Sequence, residues 1–197
     1  MEFIAQLWMP VVVSAVAVFL VSSIVHMVLP IHKNDIKKID SEDAVLEVLR
    51  SGGVTPGAYI FPGCHSMKDM ETDEYKAKVK QGPVGWLTVL PEGGFSMGRS
   101  LVQWFIYTCV VDLLTGYVAW HALPPGSEYL RVFQVTGTVA FLTYGVGGVP
   151  KSIWKGVSWK VTGKFLFDGL LYALTTGGVF GWLWPAAEAA ALNITAG

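Results

Sequence analysis

Four long apolar runs, residues 4–29, 101–123, 129–149 and 165–184, constrain this chain more than anything else in it. Crossing the ~30 Å hydrocarbon core of a bilayer takes roughly 20 mostly apolar residues at a helical rise of about 1.5 Å each. Lipid offers no hydrogen bonds, so each run must close its own backbone bonds as a helix. Only 15% of the 197 residues are charged, against about 25% in soluble domains, and the missing charge is missing from these runs. The expected fold class is therefore an all-α membrane protein of four transmembrane helices. Residues 1–30 form helix 1. Residues 31–100 form a small α/β cytoplasmic insertion between helices 1 and 2. Residues 101–197 carry helices 2–4 and a short tail.

Charge placement sets the orientation. Lys33, Lys37 and Lys38 follow the first run, Arg99 precedes the second, and Lys151, Lys155, Lys160 and Lys164 fill the link between the third and fourth. The opposite connections are poor in basic residues, although Arg131 stands just inside the third run. The positive-inside rule puts both long links in the cytoplasm and both termini on the other side. The first run lacks a basic leader and is followed by lysines, so it is expected to be a retained anchor rather than a removable signal peptide. Aromatic residues mark the two interfaces: Trp8, Tyr117, Trp120, Tyr129, Trp182 and Trp184 outside, and Trp104, Trp154 and Trp159 inside. In this arrangement Cys64 and Cys109 lie too far apart for a disulfide. Asn193-Ile194-Thr195 matches a glycosylation acceptor, a weak three-residue pattern. The nearly neutral net charge leaves no nucleic-acid footprint.

Within the insertion, Asp40 or Ser41 can cap a helix that reaches about Arg50 before Gly52-Gly53, and Thr72 can cap another from Asp73 to Gln81. Residues 58–61 and 84–90 read as short strands between Pro-Gly turns. So little material cannot bury much core by itself, and the insertion is expected to lean on the bundle or on a partner.

Polar groups inside the apolar runs are the first candidates for function. Asp112, near the middle of the second run, costs at least about 2.5–3.5 kcal/mol at that depth, so it must be protonated, paired or facing water. Thr136 and Thr138 lie at similar depth and can hydrogen-bond it. The result is either a proton or cation relay or a tie between two helices. His26 and Asp168 each lie one turn from the cytoplasmic end of their helices, so their depths match, with Lys164 one turn before Asp168 on the same face. His121 is at the opposite end, which argues against a bis-histidine haem. Gly169, Ala173, Gly177 and Gly181 recur every four residues and form a small-residue stripe for close helix packing, either within this chain or against another copy or subunit.

Outside the runs, residues 63–70 hold Cys64 and His65 together with two methionines. These are soft-metal ligands or a thiol–imidazole pair, but no CxxC and no second set completes a site. Residues 93–100 imitate a phosphate-binding loop with Arg99 in place of lysine. The helix behind is a membrane run and no acidic Mg²⁺ strand follows, so nucleotide hydrolysis is not expected. Arg99 and the lysines 151, 155, 160 and 164 are instead expected at lipid headgroups.

The segments His32-Lys33-Asn34-Asp35, Pro56-Gly57-Ala58-Tyr59, Cys64-His65-Ser66-Met67-Lys68 and Gly82-Pro83-Val84-Gly85, with the ending from Thr176-Gly177-Gly178 to Trp184-Pro185, resemble a family of bacterial four-span inner-membrane proteins with no assigned activity. The resemblance covers most of the chain. It implies a bacterial inner membrane and no catalytic residues.

The sequence thus leads to a non-catalytic structural or accessory component of a membrane assembly, with lipid and either other subunits or itself as partners. No catalytic residue and no cofactor is expected. Two alternatives stay open: a small proton- or cation-coupled transporter using Asp112, and a membrane metal or thiol enzyme using Cys64 and His65.

Overall fold

The computed structural model describes residues 2–187, so the Asn193-Ile194-Thr195 acceptor lies outside the described residues. Helices form where the apolar runs require them: α1 (Glu2–Ser23), α4 (Met97–Ala122), α5 (Tyr129–Tyr144) and α7 (Trp159–Trp182), with α2, α3 and α6 in the connections. Among the described residues, three helical segments are long and apolar enough to cross a membrane: Phe3–Val28, Met97–Ala122 and Tyr129–Lys155. The 24 residues of α7 suffice in length, but the helix carries Lys160, Lys164 and Asp168 and is not among these three segments.

The insertion builds the short elements that its caps and turns foretell. Helix α2 (Glu42–Ser51) begins after Ser41, whose side chain makes no capping hydrogen bond, and α3 (Asp73–Gln81) begins after Thr72, whose hydroxyl does cap, accepting from the Tyr75 amide at 3.3 Å. Strands β1 (Gly57–Phe61) and β2 (Gly85–Val89) pair antiparallel, with Gly57 opposite Val89 and Phe61 opposite Gly85. Neither α2 nor α3 buries a residue. Beyond its first residues, which fold back onto α7, the insertion approaches the rest of the chain at Trp86, where the Lys155 ammonium lies 5.9 Å from the ring centroid.

The third apolar run does not stay one straight helix. Helix α5 stops at Tyr144, a 3₁₀ turn covers Val146–Gly148, and Pro150 opens α6 (Pro150–Lys155). Three poor helix formers, Gly145, Gly147 and Gly148, share this short stretch, and proline suits a helix start. Close approach is the further cause: a Cβ on Gly169 would run into the backbone of Gly145. The link expected over residues 151–164 is consequently mostly helical, and Lys160 and Lys164 belong to α7.

The small-residue stripe of α7 is filled from within the chain. Besides Gly169 against Gly145, a Cβ on Gly177 would lie 3.0 Å from Phe133, and one on Gly181 would lie 2.8 Å from the Tyr129 ring. The neighbouring face of α7 repeats at the same spacing with a different character. Lys164 is half-buried, and Asp168, Tyr172, Thr176 and Phe180 are buried. One face therefore grips α5, and the next turns polar groups toward α1 and α4. At the far end from the insertion, Phe180 joins Leu7, Val11, Leu123 and Val132 in an apolar core that closes the bundle.

Candidate functional site

Helix α1 ends irregularly, and the irregularity makes the site. Residues Ile24–Val28 form a π-turn in which the Leu29 amide donates to the Ile24 carbonyl at 3.0 Å. Such turns widen a helix by one residue and recur at functional sites. Leu29 is extended, and Pro30 opens a 3₁₀ turn, Pro30–His32, that folds the chain back on itself. The His32 ring consequently lies against the His26 ring, centroids 4.5 Å apart, with the Phe165 ring 5.2 Å from His32.

Opposite these two imidazoles stands Asp168 of α7. His32 Nε2 is 2.9 Å and His26 Nε2 is 3.8 Å from Asp168 Oδ2. The Asp168 side chain is 2% exposed, and neither of its oxygens has an aligned hydrogen-bond donor. Behind His32, its Nδ1 meets Asp35 Oδ2 at 2.7 Å, while the other Asp35 oxygen accepts from the Lys164 ammonium. Lys164 also donates to the Ile31 carbonyl at 2.6 Å, which holds the folded-back segment on α7. The Lys164 hydrogen bond, and after it the bond from His32, keep the Asp35 carboxyl below the usual carboxylate range against the opposing effect of desolvation. A carboxylate at Asp35 favours the His32 tautomer that carries its proton on Nδ1 and turns the Nε2 lone pair toward Asp168.

The cluster opens onto a cavity of about 820 Å³. His26 and Asp168 form part of its wall, with Trp104, Tyr107, Tyr144 and Lys151 around them. Trp104 turns inward and donates from Nε1 to Ser22 Oγ at 2.8 Å. The volume falls within the roughly 300–1,000 Å³ of small-molecule sites, and so does the character, an apolar aromatic wall with a few convergent polar groups.

Asp112 lies elsewhere. It is fully buried, outside the cavity wall, and its Oδ1 accepts from Thr176 Oγ1 of α7 at 3.2 Å. Thr136 donates to the Val132 carbonyl of its own helix, and Thr138 is exposed and donates to Gln134, so neither reaches Asp112. Arg131 is exposed. Cys64 and His65 are both exposed on their loop, where Asp69 accepts from the amides of His65 and Ser66 at 3.0 and 2.8 Å. Among the described residues they join no cluster of metal ligands; His26, His32 and Asp168 do, with one ligand atom from each within 4.8 Å of the others. Of the five basic residues expected at lipid headgroups, Arg99, Lys151, Lys155 and Lys160 are exposed, with Lys151 also on the cavity wall. Lys164 points inward to Asp35, because a half-buried carboxylate holds an ammonium better than a wet interface does.

His32 and Asp35 are the site residues that sequence reasoning missed. The available signal was Pro30 between two histidines, a breaker that turns a chain as readily as it ends a helix. Compared with protein-family models, curated proteins and solved structures, the chain matches none.

Proposed function

We propose that this chain is a four-span protein of a bacterial inner membrane that binds an amphipathic small molecule in the cavity beside Asp168. The cavity carries the reading. Its wall combines the polar side chains of His26, Asp168 and Lys151 with the rings of Trp104, Tyr107 and Tyr144. A lipid-like ligand would set its head against the polar groups and its apolar body against the rings. A binding role needs no catalytic set, in keeping with the non-catalytic character expected from the sequence.

Counting α7 as the fourth span is supported by its length and by the placement of its charges. Asp168 faces His26 and His32, and Lys164 faces Asp35, so neither is presented to lipid. The lysine-rich links favour a cytoplasmic insertion and non-cytoplasmic termini. The transporter alternative required Asp112 to face water or a cavity; buried against Thr176, it acts as a tie between α4 and α7. The accessory reading loses the small-residue stripe as a docking face, because α5 occupies it.

Gly148 gives the test. It lines the cavity, and a Cβ built on it meets nothing within 4 Å, so Gly148→Leu fills the space without straining the fold. Native mass spectrometry of protein extracted in mild detergent should find an amphiphile on the wild type and at least a tenfold lower occupancy on Gly148→Leu, at unchanged helix content. A wild type that carries nothing, or equal occupancy in both proteins, ends the proposal.

A further inference from the structure

We infer that His26, His32 and Asp168 form a binding site for a divalent transition-metal ion of the zinc type, with an open coordination position toward the cavity. The inference rests on the cluster alone and stands whether or not the cavity takes an amphiphile.

Geometry is the first support. Zinc holds imidazole nitrogen and carboxylate oxygen at about 2.0–2.2 Å, which puts neighbouring ligands of a tetrahedron about 3.3 Å apart. The two nitrogen-to-oxygen separations here are 2.9 and 3.8 Å, on either side of that value, and all three ligand atoms lie within 4.8 Å of one another. Small side-chain adjustments would bring the three atoms onto one ion.

The second support is what Asp168 lacks. A buried carboxylate is normally hydrogen-bonded, ion-paired or on a metal. Asp168 is 1% exposed, and both oxygens and His32 Nε2 are without an aligned hydrogen bond. Nitrogen and oxygen that face each other closely but out of hydrogen-bond line have the arrangement expected when a third atom belongs between them.

The third support is the shell behind the ligands. Metal-bound histidines usually give their other ring N–H to a carboxylate, which fixes tautomer and orientation. Asp35 does this for His32 at 2.7 Å, and Lys164 holds Asp35 in turn. Lys164 is taken up by Asp35, so Asp168 is the carboxylate of the cluster that faces imidazoles alone and no ammonium. Two imidazoles and one carboxylate suit zinc or ferrous iron rather than the oxygen-only preference of calcium or magnesium. His26 and Asp168 both line the cavity, so a remaining coordination position would face it.

The test uses the full chain in detergent, without a histidine tag, stripped with chelator and titrated with Co²⁺ as a spectroscopic stand-in for zinc. One Co²⁺ per chain, with a visible d–d band that Zn²⁺ abolishes, is the expected result. Asp168→Asn, close to isosteric, and His26→Ala should each lower affinity at least a hundredfold. Asp35→Asn keeps all three ligands and should lower it roughly 10–100-fold, the range for loss of such a partner. Should His32→Ala fail to fold, Asp35→Asn still reports on that histidine. Cys64→Ala and His65→Ala should change nothing, and Gly148→Leu should keep the metal even where it empties the cavity, which separates this inference from the ligand reading. Absence of stoichiometric binding, undiminished binding by Asp168→Asn, or loss through Cys64 or His65 overturns it.

Discussion

Asp69 organises the loop that carries Cys64 and His65, and it does so through charge. Ser66, through its hydroxyl and its amide, and then the His65 amide hold the Asp69 carboxyl below the ordinary aspartate value of about 3.9. A depressed carboxylate contributes stability that is fully present above the unfolded value and is lost as pH falls through the folded one. The amide resonances of His65 and Ser66 should therefore shift together with a midpoint below that of a free aspartate; a midpoint at or above it refutes the arrangement. Asp112 makes a second prediction at this scale. Thr176→Val removes its donor and should cost about 0.6 kcal/mol, the average for hydrogen bonds between membrane helices, while Thr138→Val should cost nothing measurable. Reversible unfolding in mixed micelles checks this, and equal costs would sink it. Depth along a helix was legible in the sequence, which is why His26 could be matched with Asp168. Azimuth was not: each residue turns the helix by about 100°, and depth alone could not tell Thr176 from Thr136 or Thr138. His32 was hidden for another reason. Its position depends on a π-turn bonded from Leu29 to Ile24, and no residue preference announces that bond.

At the scale of the helices, the spacing of Gly169, Ala173, Gly177 and Gly181 already declared a packing face, because a four-residue repeat of small side chains has few other uses in an apolar helix. That α5 would fill it could be stated only as one of two choices, since a stripe says how close a neighbour comes but not whose it is. The break after Tyr144 was illegible for a related reason. Hydropathy runs on unbroken to Val149, and the interruption depends on α7 pressing its backbone against Gly145. This contact makes a paired prediction. Gly169→Ala places a Cβ into the Gly145 backbone and should destabilise the α5–α7 pair by about 1–3 kcal/mol, as overpacking does. Gly163→Ala, in the same helix and with nothing within 4 Å of the added Cβ, should be neutral or slightly stabilising through helix propensity. Melting temperatures in detergent would separate the two, and a Gly169→Ala protein as stable as Gly163→Ala would show that the helices are not in contact there.

For the whole molecule the physical question is whether α7 crosses the bilayer, as the segments Phe3–Val28, Met97–Ala122 and Tyr129–Lys155 are long and apolar enough to do. Asp168 lies nine residues into the helix, about 14 Å along its axis, where an unshielded charge would cost at least about 2.5–3.5 kcal/mol. The cluster removes that objection: His26 and His32 cover the carboxylate, and Asp35 takes Lys164, so a surrounding bilayer would meet Phe167, Leu170 and Leu174, which are exposed on α7. If α7 crosses, the insertion and a tag fused after Gly197 must lie on opposite sides; if it does not, they share a side. Cys64, exposed on the insertion, reports one side directly, and Cys109, partly buried within α4, should stay silent. A membrane-impermeant maleimide should leave Cys64 unlabelled in intact spheroplasts and label it in inverted vesicles, with the tag showing the reverse. Labelling of Cys64 in spheroplasts would invert the orientation that the lysines dictate. Finding the tag on the same face as Cys64 would make α7 a re-entrant or surface helix, and the shielding of Asp168 from lipid by two histidines would then have no membrane to answer to.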